Sequence, residues 1–399
     1  MQRAAGLVLA LLILWPMSAP VLGQSQSDES ALELRVKHFT SAINAGDPDR
    51  IKQLVDQDLA ASLQKLPLAA HIGLQMTMWH MSRGLDLHEL QEVGPYEATA
   101  LFKNRLTGGW NALWFKLESQ PPHRIVAIGP RKPNPPESIP RRLSDKQIAR
   151  ELETFMQRLA RVDAFSGAVA LGKNGAVVFQ GAYGQADRDT GVAATPDTKY
   201  HLASMSKMFT AVAIGQLVER GQLSFDDSLS KFIPQFPNEE AAKKIQIKHL
   251  LSHSAGLGMW WGPRYQESAK DFRTVDEMLA WAAEDEKTTQ FEPGSQFKYS
   301  NTGFVVLGKV IEIVTGQSYY DYVREHIFKP AGMDDTDSFA RDAARAKLAT
   351  GYARTFDEGG APSFRSNTAM LGARGGLPVP PGVDAGVPRR AERAVRRLR

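Results

Sequence analysis

Apolar residues return at three- and four-residue intervals from position 31 (Leu32, Leu34, Val36, Phe39, Ile43), a spacing that predicts helix across Ala31–Leu54. Gly46-Asp47 interrupts it and marks the start of a second helix. From Leu85 the pattern changes. Tyr96–Phe102, Ala112–Leu117 and Ile125–Ile128 read as strands, with Gly108-Gly109 as a turn. Helices followed by a curled antiparallel meander predict a small α+β domain of about 100 residues, placed at 24–128.

Residues 129–143 carry Pro130, Pro133, Pro135, Pro136 and Pro140 with Arg and Lys between them, the composition of an extended, semi-rigid linker. A second unit, 144–376, then begins. Ile148, Leu152, Phe155 and Leu159 place a helix over Ser144–Arg161. Two apolar runs, Gly167–Leu171 and Ala176–Gln180, flank Lys173-Asn174-Gly175, and Asn-Gly between apolar runs is a strong hairpin signal. Downstream the pattern is mostly helical, and no internal repeat is visible.

Both ends of the chain differ from its body. Arg3, the apolar run Ala4–Trp15, Pro16 and Val21-Leu22-Gly23 have the order of a secretory signal over 1–23. The run is short for a membrane span, which needs about 20 apolar residues, so an uncleaved anchor is the less favoured alternative. The expected location is the bacterial periplasm or the medium, with no membrane span in the mature chain. Over all 399 residues, 43% are apolar and 23% charged, which excludes wholesale disorder and low-complexity classes. There is no Cys, so no disulfide contributes and the cores must supply stability. The formal charge of +4 suggests an acidic partner until it is located. Arg389–Arg399 holds six Arg against one Glu, so the remainder is close to neutral and a nucleic-acid partner is not implied.

Four Ser-x-x-Lys segments occur: Ser62–Lys65, Ser204–Lys207, Ser228–Lys231 and Ser295–Lys298. Only Ser204 opens a long apolar helix, carrying Met208, Val212, Ile214, Leu217 and Val218 up to Gly221. There, free backbone N–H groups and the positive dipole end favour an oxyanion. Lys207 lies one turn on, on the same face. Apolar flanks would desolvate its amine and favour the neutral base. The alternative is a Ser that only caps the helix. Tyr299-Ser300-Asn301 is the one Tyr-x-Asn in the chain, between the Phe291-Glu292-Pro293-Gly294 turn and a helix over Phe304–Val314. A loop Tyr can relay a proton between nucleophile and leaving group, and an Asn two residues on can bond a Lys and a substrate amide. No His, Asp or Glu cluster has metal-ligand spacing.

Together these motifs resemble the serine β-lactamase and penicillin-binding-protein superfamily, in particular its class C and esterase-like branch, which uses Tyr-x-Asn. The similarity extends over about Ser144 to Gly376: Phe165-Ser166-Gly167 with its hairpin, the block Ile247–Leu257, Phe291–Gly303 and Ile327–Thr336. It implies acyl transfer through a seryl-enzyme, without metal or organic cofactor, on a β-lactam, a D-Ala-D-Ala peptide or an ester. Ser204 is the implied nucleophile, Lys207 its base, Tyr299 the proton relay, and Asn301 orients Lys207 and substrate. It also implies a structural role for His253. The order of elements before residue 129 loosely resembles the cone-shaped nuclear-transport-factor-like fold. The competing class is a non-catalytic periplasmic binding or scaffold protein with a degenerate hydrolase domain. Trp260 and Trp261 are expected to pack rather than to line a cleft.

The superfamily's third motif, Lys/His-Thr/Ser-Gly on a strand beside the nucleophile, does not follow Asn301. Arg374-Gly375-Gly376 lies in a glycine-rich turn, and 377–399 shows no periodicity and no strand or helix pattern before Pro388. Such a tail is the expected product of a shifted frame in G/C-rich DNA, leaving an incomplete, poorly stable and weakly active hydrolase domain. The alternative is a short variant whose basic tail binds an anionic surface. An alternative frame past codon 376 that encodes the third motif would decide for the first.

Overall fold

The computed structural model describes residues 30–136, 142–259, 274–283, 289–338, 347–357, 359–366 and 384–386. The signal-like segment, Trp260, Trp261 and the Arg374-Gly375-Gly376 turn lie outside them.

The first helix begins where Ser30 Oγ accepts the Glu33 N–H at 3.1 Å, so α1 covers Ala31–Ala45. It stops at Gly46, φ +59°, where the Trp79 indole leaves no room for a side chain. Asp47 caps α2 (Pro48–Asp58). After the short α3 (Ala61–Gln64) comes α4 (Leu68–Ser82), which the sequence pattern did not disclose. Its apolar residues surround the axis: Ile72 and Met76 are buried while Leu74 and Met81 are exposed, so no single stripe announces it. Four antiparallel strands follow in sequential order: β1 (Leu85–Gly94), β2 (Glu97–Asn104), β3 (Trp110–Leu117) and β4 (Ile125–Arg131). Alternate residues of β2, Ala98, Ala100 and Phe102, face the helices, and Phe39 of α1 meets Phe115 edge-on at 5.2 Å. β4 stays paired to Arg131, three residues into the segment read as linker, with Pro130 tolerated because β4 is an edge strand.

Ser144 and Gln147 form a capping box that starts α5 (Asp145–Arg161). β5 (Gly167–Lys173) and β6 (Ala176–Tyr183) form the expected hairpin; Asn174 and Gly175 have φ of +49° and +80°, the two positive values a tight Asn-Gly turn requires. After β7 (Gln185–Asp187) and β8 (Val192–Ala193), β9 (His201–Ala203) leads into a helical layer: α6 (Lys207–Glu219), α7 (Glu239–Lys244), α8 (Ile247–Leu251), α9 (Val275–Ala283), α10 (Thr302–Thr315) and α11 (Tyr319–Val323). Its core joins Phe209, Ile214 and Leu217 of α6 to Val306, Val310 and Tyr322. β10 (Thr336–Asp337), the hairpin β11 (Tyr352–Phe356) and β12 (Pro362–Ser366), and β13 (Asp384–Gly386) follow. The chain is α+β, a mixed helix and sheet unit preceded by a smaller α+β region. One expectation is corrected here. A strand does occur before Pro388: β13 pairs Asp384 with Ala203 and Ala385 with His201, and β10 pairs with its other side. Pairing uses backbone groups, and three residues are too few to display a period in sequence. No described helix is long and apolar enough to cross a membrane.

The two regions meet at the C-terminus of α5. Arg83 donates to Val162 O at 3.0 Å, His80 Nε2 to Asp163 O at 3.2 Å, and Arg354 and Arg188 both bond Asp163. Cations here complement both the Asp163 carboxylate and the negative helix end. Phe356 packs against Ile51, Ile72 and Met76 beside them. His80 bonds in its neutral form, since Nδ1 faces the Arg83 guanidinium at 3.5 Å. Burial, then the charge of Arg354, push its pKa below the ordinary 6.5. The unfolded chain therefore binds the proton first, so this contribution is complete above the ordinary value of 6.5 and is lost as pH falls toward the lowered value. On acidification from neutral to mildly acidic buffer, the melting temperature of the full chain should fall further than that of His80→Gln. Equal falls in the two proteins would count against it.

Candidate active site

β9 ends in strain. Ala203 has φ +49° and ψ −135°, a region that costs a residue with a Cβ about 1–3 kcal/mol. The turn directs Ser204 out of the strand and into a single 3₁₀ turn, Ser204–Ser206, before α6. Ser206 Oγ donates back to Ala203 O at 2.6 Å, which closes that turn with the neighbouring serine rather than with Ser204. The Ser204 side chain is exposed and accepts from two directions, Tyr299 Oη at 2.8 Å and Lys207 Nζ at 3.4 Å. Lys207 opens α6 and is only 8% exposed. Its ammonium lies 5.2 Å from the Tyr299 ring centre and 5.4 Å from that of Phe304.

Tyr299 reaches Ser204 across ninety-five positions of sequence because two loops are laced together. Gln290 N–H bonds Gly256 O at 2.9 Å, Gly294 N–H bonds Ser254 O at 2.8 Å, and Lys298 N–H bonds His253 O at 2.9 Å. Ser300 Oγ donates to Gly258 O at 2.7 Å and accepts the Gly303 N–H at 3.1 Å, which also fixes the start of α10. Gly256 is required: at φ +76° a Cβ would come within 2.6 Å of Phe291 O. Burial alone would raise the Tyr299 pKa, but the hydrogen bonds to Lys207 and Ser204 and the Lys207 charge outweigh it and bring the phenol below its ordinary value of 10.

Ser204, Lys207 and Tyr299 are thus one hydrogen-bonded cluster. Asn301 stands beside it as the N-cap residue of α10, half-buried, and among the described residues its side chain bonds neither Lys207 nor the helix. The other Ser-x-x-Lys pairs are dispersed. Ser62 and Lys65 are exposed around α3, Lys231 pairs with Asp227 at 2.8 Å, and Ser295 Oγ bonds Glu292 O at 2.6 Å. His71 bonds Leu63 O, and His88 and His123 lie against Trp110 and Tyr96. No group of three potential metal ligands occurs among the described residues. A cavity of about 310 Å³, lined by Arg188, Tyr200, His201, Arg354 and Phe364, does not include Ser204. What sequence reasoning missed is the pairing of 253–258 with 290–300. One side of it was marked by the block Leu-Ser-His-Ser-Ala-Gly-Leu, whose glycine and polar residues now have partners.

A catalytic-type Ser–Lys–Tyr cluster at the head of a helix, set between antiparallel strands and a helical layer, defines a β-lactamase-like serine-hydrolase fold. The family model described as β-lactamase matches residues 148–377, more than half of the chain, and the protein belongs to that family. It is 31% identical over 194 residues to penicillin-binding protein 4* of Bacillus subtilis, covering 48% of this chain and 42% of that protein. It is 33% identical over 189 residues to protein flp of Staphylococcus aureus, covering 47% and 37%. The chain thus spans less than half the length of these curated relatives. Among solved structures it is similar to EstCE1, described as a hydrolase with promiscuous acyltransferase activity, at 25% identity and TM-score 0.50, covering 61% of this chain and 70% of that one.

Proposed function

We propose that the chain is an exported serine hydrolase that transfers acyl groups through a seryl-enzyme, acting on a β-lactam, a D-Ala-D-Ala peptide or an ester. The observation that carries this reading is the Ser204 hydroxyl, exposed and bracketed by Tyr299 Oη at 2.8 Å and Lys207 Nζ at 3.4 Å. Ser204 Oγ attacks the substrate carbonyl while Lys207, acting as the base, takes its proton. The oxyanion forms against the Ser204 N–H at the head of the 3₁₀ turn and α6. The proton passes through Tyr299 to the leaving group, and the acyl-enzyme remains. Water then attacks the ester and gives its proton to the same pair, which passes it to Ser204 Oγ as the acyl–oxygen bond breaks and the acid leaves. The side chain of Asn301, which does not cap its helix, is assigned to the substrate amide. A relative named penicillin-binding protein 4* and a similar structure described as a hydrolase with promiscuous acyltransferase activity support the reading.

The test is covalent. A fluorophosphonate or penicillin probe applied to the full chain should label Ser204, and Ser204→Ala should abolish the label in a protein that melts normally. Labelling that survives Ser204→Ala, or a full chain that takes up neither probe, would favour a non-catalytic binding protein.

A further inference from the structure

His253 stacks on Tyr299 and bonds the backbone of the residues on either side of it. It follows the C-terminal end of α8 with φ +55°, in the left-handed region. Its carbonyl oxygen accepts the N–H of Lys298 at 2.9 Å, and its ring Nδ1 accepts the N–H of Ser300 at 3.1 Å. The residues before and after Tyr299 are therefore both tied to one residue. The imidazole also stacks on the Tyr299 ring, with centroids 4.4 Å apart and planes at 30°. The Phe304 ring lies 5.2 Å from the imidazole, tilted by 37°, and Phe297 packs at right angles to it at 5.9 Å. With backbone on both flanks and one ring face held, the phenol has little freedom to swing away from Ser204.

Accepting at Nδ1 requires the neutral ring with its proton on Nε2. Burial, then the nearby Lys207 ammonium, hold the His253 pKa below 6.5, in agreement with that geometry. A neutral imidazole also adds no charge beside Lys207.

We propose that His253 is a positioning residue that sets the height and direction of the Tyr299 phenol over Ser204, through its Ser300 hydrogen bond and its stack on the tyrosine ring. The proposal rests on the seryl-enzyme reading above. It makes a claim that ordinary structural support does not: removing His253 matters only while Tyr299 has a hydroxyl to place.

The experiment measures the rate at which a fluorophosphonate labels Ser204 in the full chain, with melting temperatures recorded in parallel. His253→Ala, which loses bond and stack, should slow labelling by about tenfold to a hundredfold, the usual effect of misplacing a reacting group by an ångström. His253→Asn keeps an acceptor at the Nδ1 position and tolerates positive φ, so it should recover most of the rate. In a Tyr299→Phe background His253→Ala should have no further effect. Full additivity of the two changes, or parental labelling by His253→Ala, would overturn the proposal while leaving the seryl-enzyme intact. If His253→Ala does not fold, His253→Asn decides: a slowing of about threefold that disappears with Tyr299→Phe supports it, and one that persists overturns it. A parent chain that takes no label overturns the seryl-enzyme reading, and this inference falls with it.

Discussion

Lys207→Met should slow acylation of Ser204 by about a hundredfold to ten-thousandfold, the range for loss of a positioned base. The substitution is chosen to separate chemistry from folding. Lys207 is 8% exposed, with its ammonium set over the Tyr299 and Phe304 rings. A methionine of similar length fills the same space, and replacing a buried charge with an apolar isostere is often neutral or stabilising. The melting temperature should hold or rise while the rate collapses. A second readout follows from electrostatics. Lys207 supplies the hydrogen bond and charge that bring the Tyr299 phenol down against the upward push of burial. Without it one tyrosine should titrate at higher pH, and the difference from Tyr299→Phe in a spectrophotometric titration would identify that tyrosine. Labelling at the parental rate in Lys207→Met would remove Lys207 from the mechanism.

Phe328→Ala should destabilise the helical layer by about 3–5 kcal/mol, the usual cost of emptying a buried phenylalanine site. Phe328 is 1% exposed and meets Phe209 edge-on at 5.0 Å, with planes at 89°. Phe209 lies on α6 two residues beyond Lys207, so this ring pair also braces the helix that presents the base. Thr210, the next residue, shares a buried 2.8 Å hydrogen bond with Tyr319. On a region of this size the melting temperature should drop by about 10 °C, read by calorimetry or circular dichroism. Phe328→Leu keeps most of the volume and should fall much less. A drop within about 2 °C for Phe328→Ala would mean the site collapses around the missing ring.

Local chemistry explains what could be seen in advance. Asp47 announces its helix because a capping side chain lies within three residues of the N–H it accepts, and Ser30 and Ser144 cap theirs in the same way. Asn174-Gly175 announces its hairpin because the positive φ values belong to those two residues alone. The amphipathic spacing of α1 and the alternation along β2 each refer to a single buried face. Where that condition fails, as in α4 with apolar residues on every side or in the three-residue β13, the element could not be read. Four Ser-x-x-Lys pairs were equal as strings; the long apolar helix that Ser204 opens, and then the family resemblance, set it apart.

Caps, turns, single-face periodicity and the Ser204, Lys207, Tyr299 and Asn301 motifs were legible along the chain, since each depends on neighbours within a few positions. The lacing of 253–258 to 290–300 was not, because those hydrogen bonds join backbone groups that carry no residue-type signature, and the side-chain bond of Tyr299 to Ser204 that the lacing permits was implied only by the family resemblance. The strain at Ala203 was equally hidden. Alanine is a poor choice for φ +49°, and only the surrounding strand and the 3₁₀ turn impose that angle on it. For His253 the resemblance implied a structural role, and the fold shows what it supports: its ring stacks on that of Tyr299, 4.4 Å away.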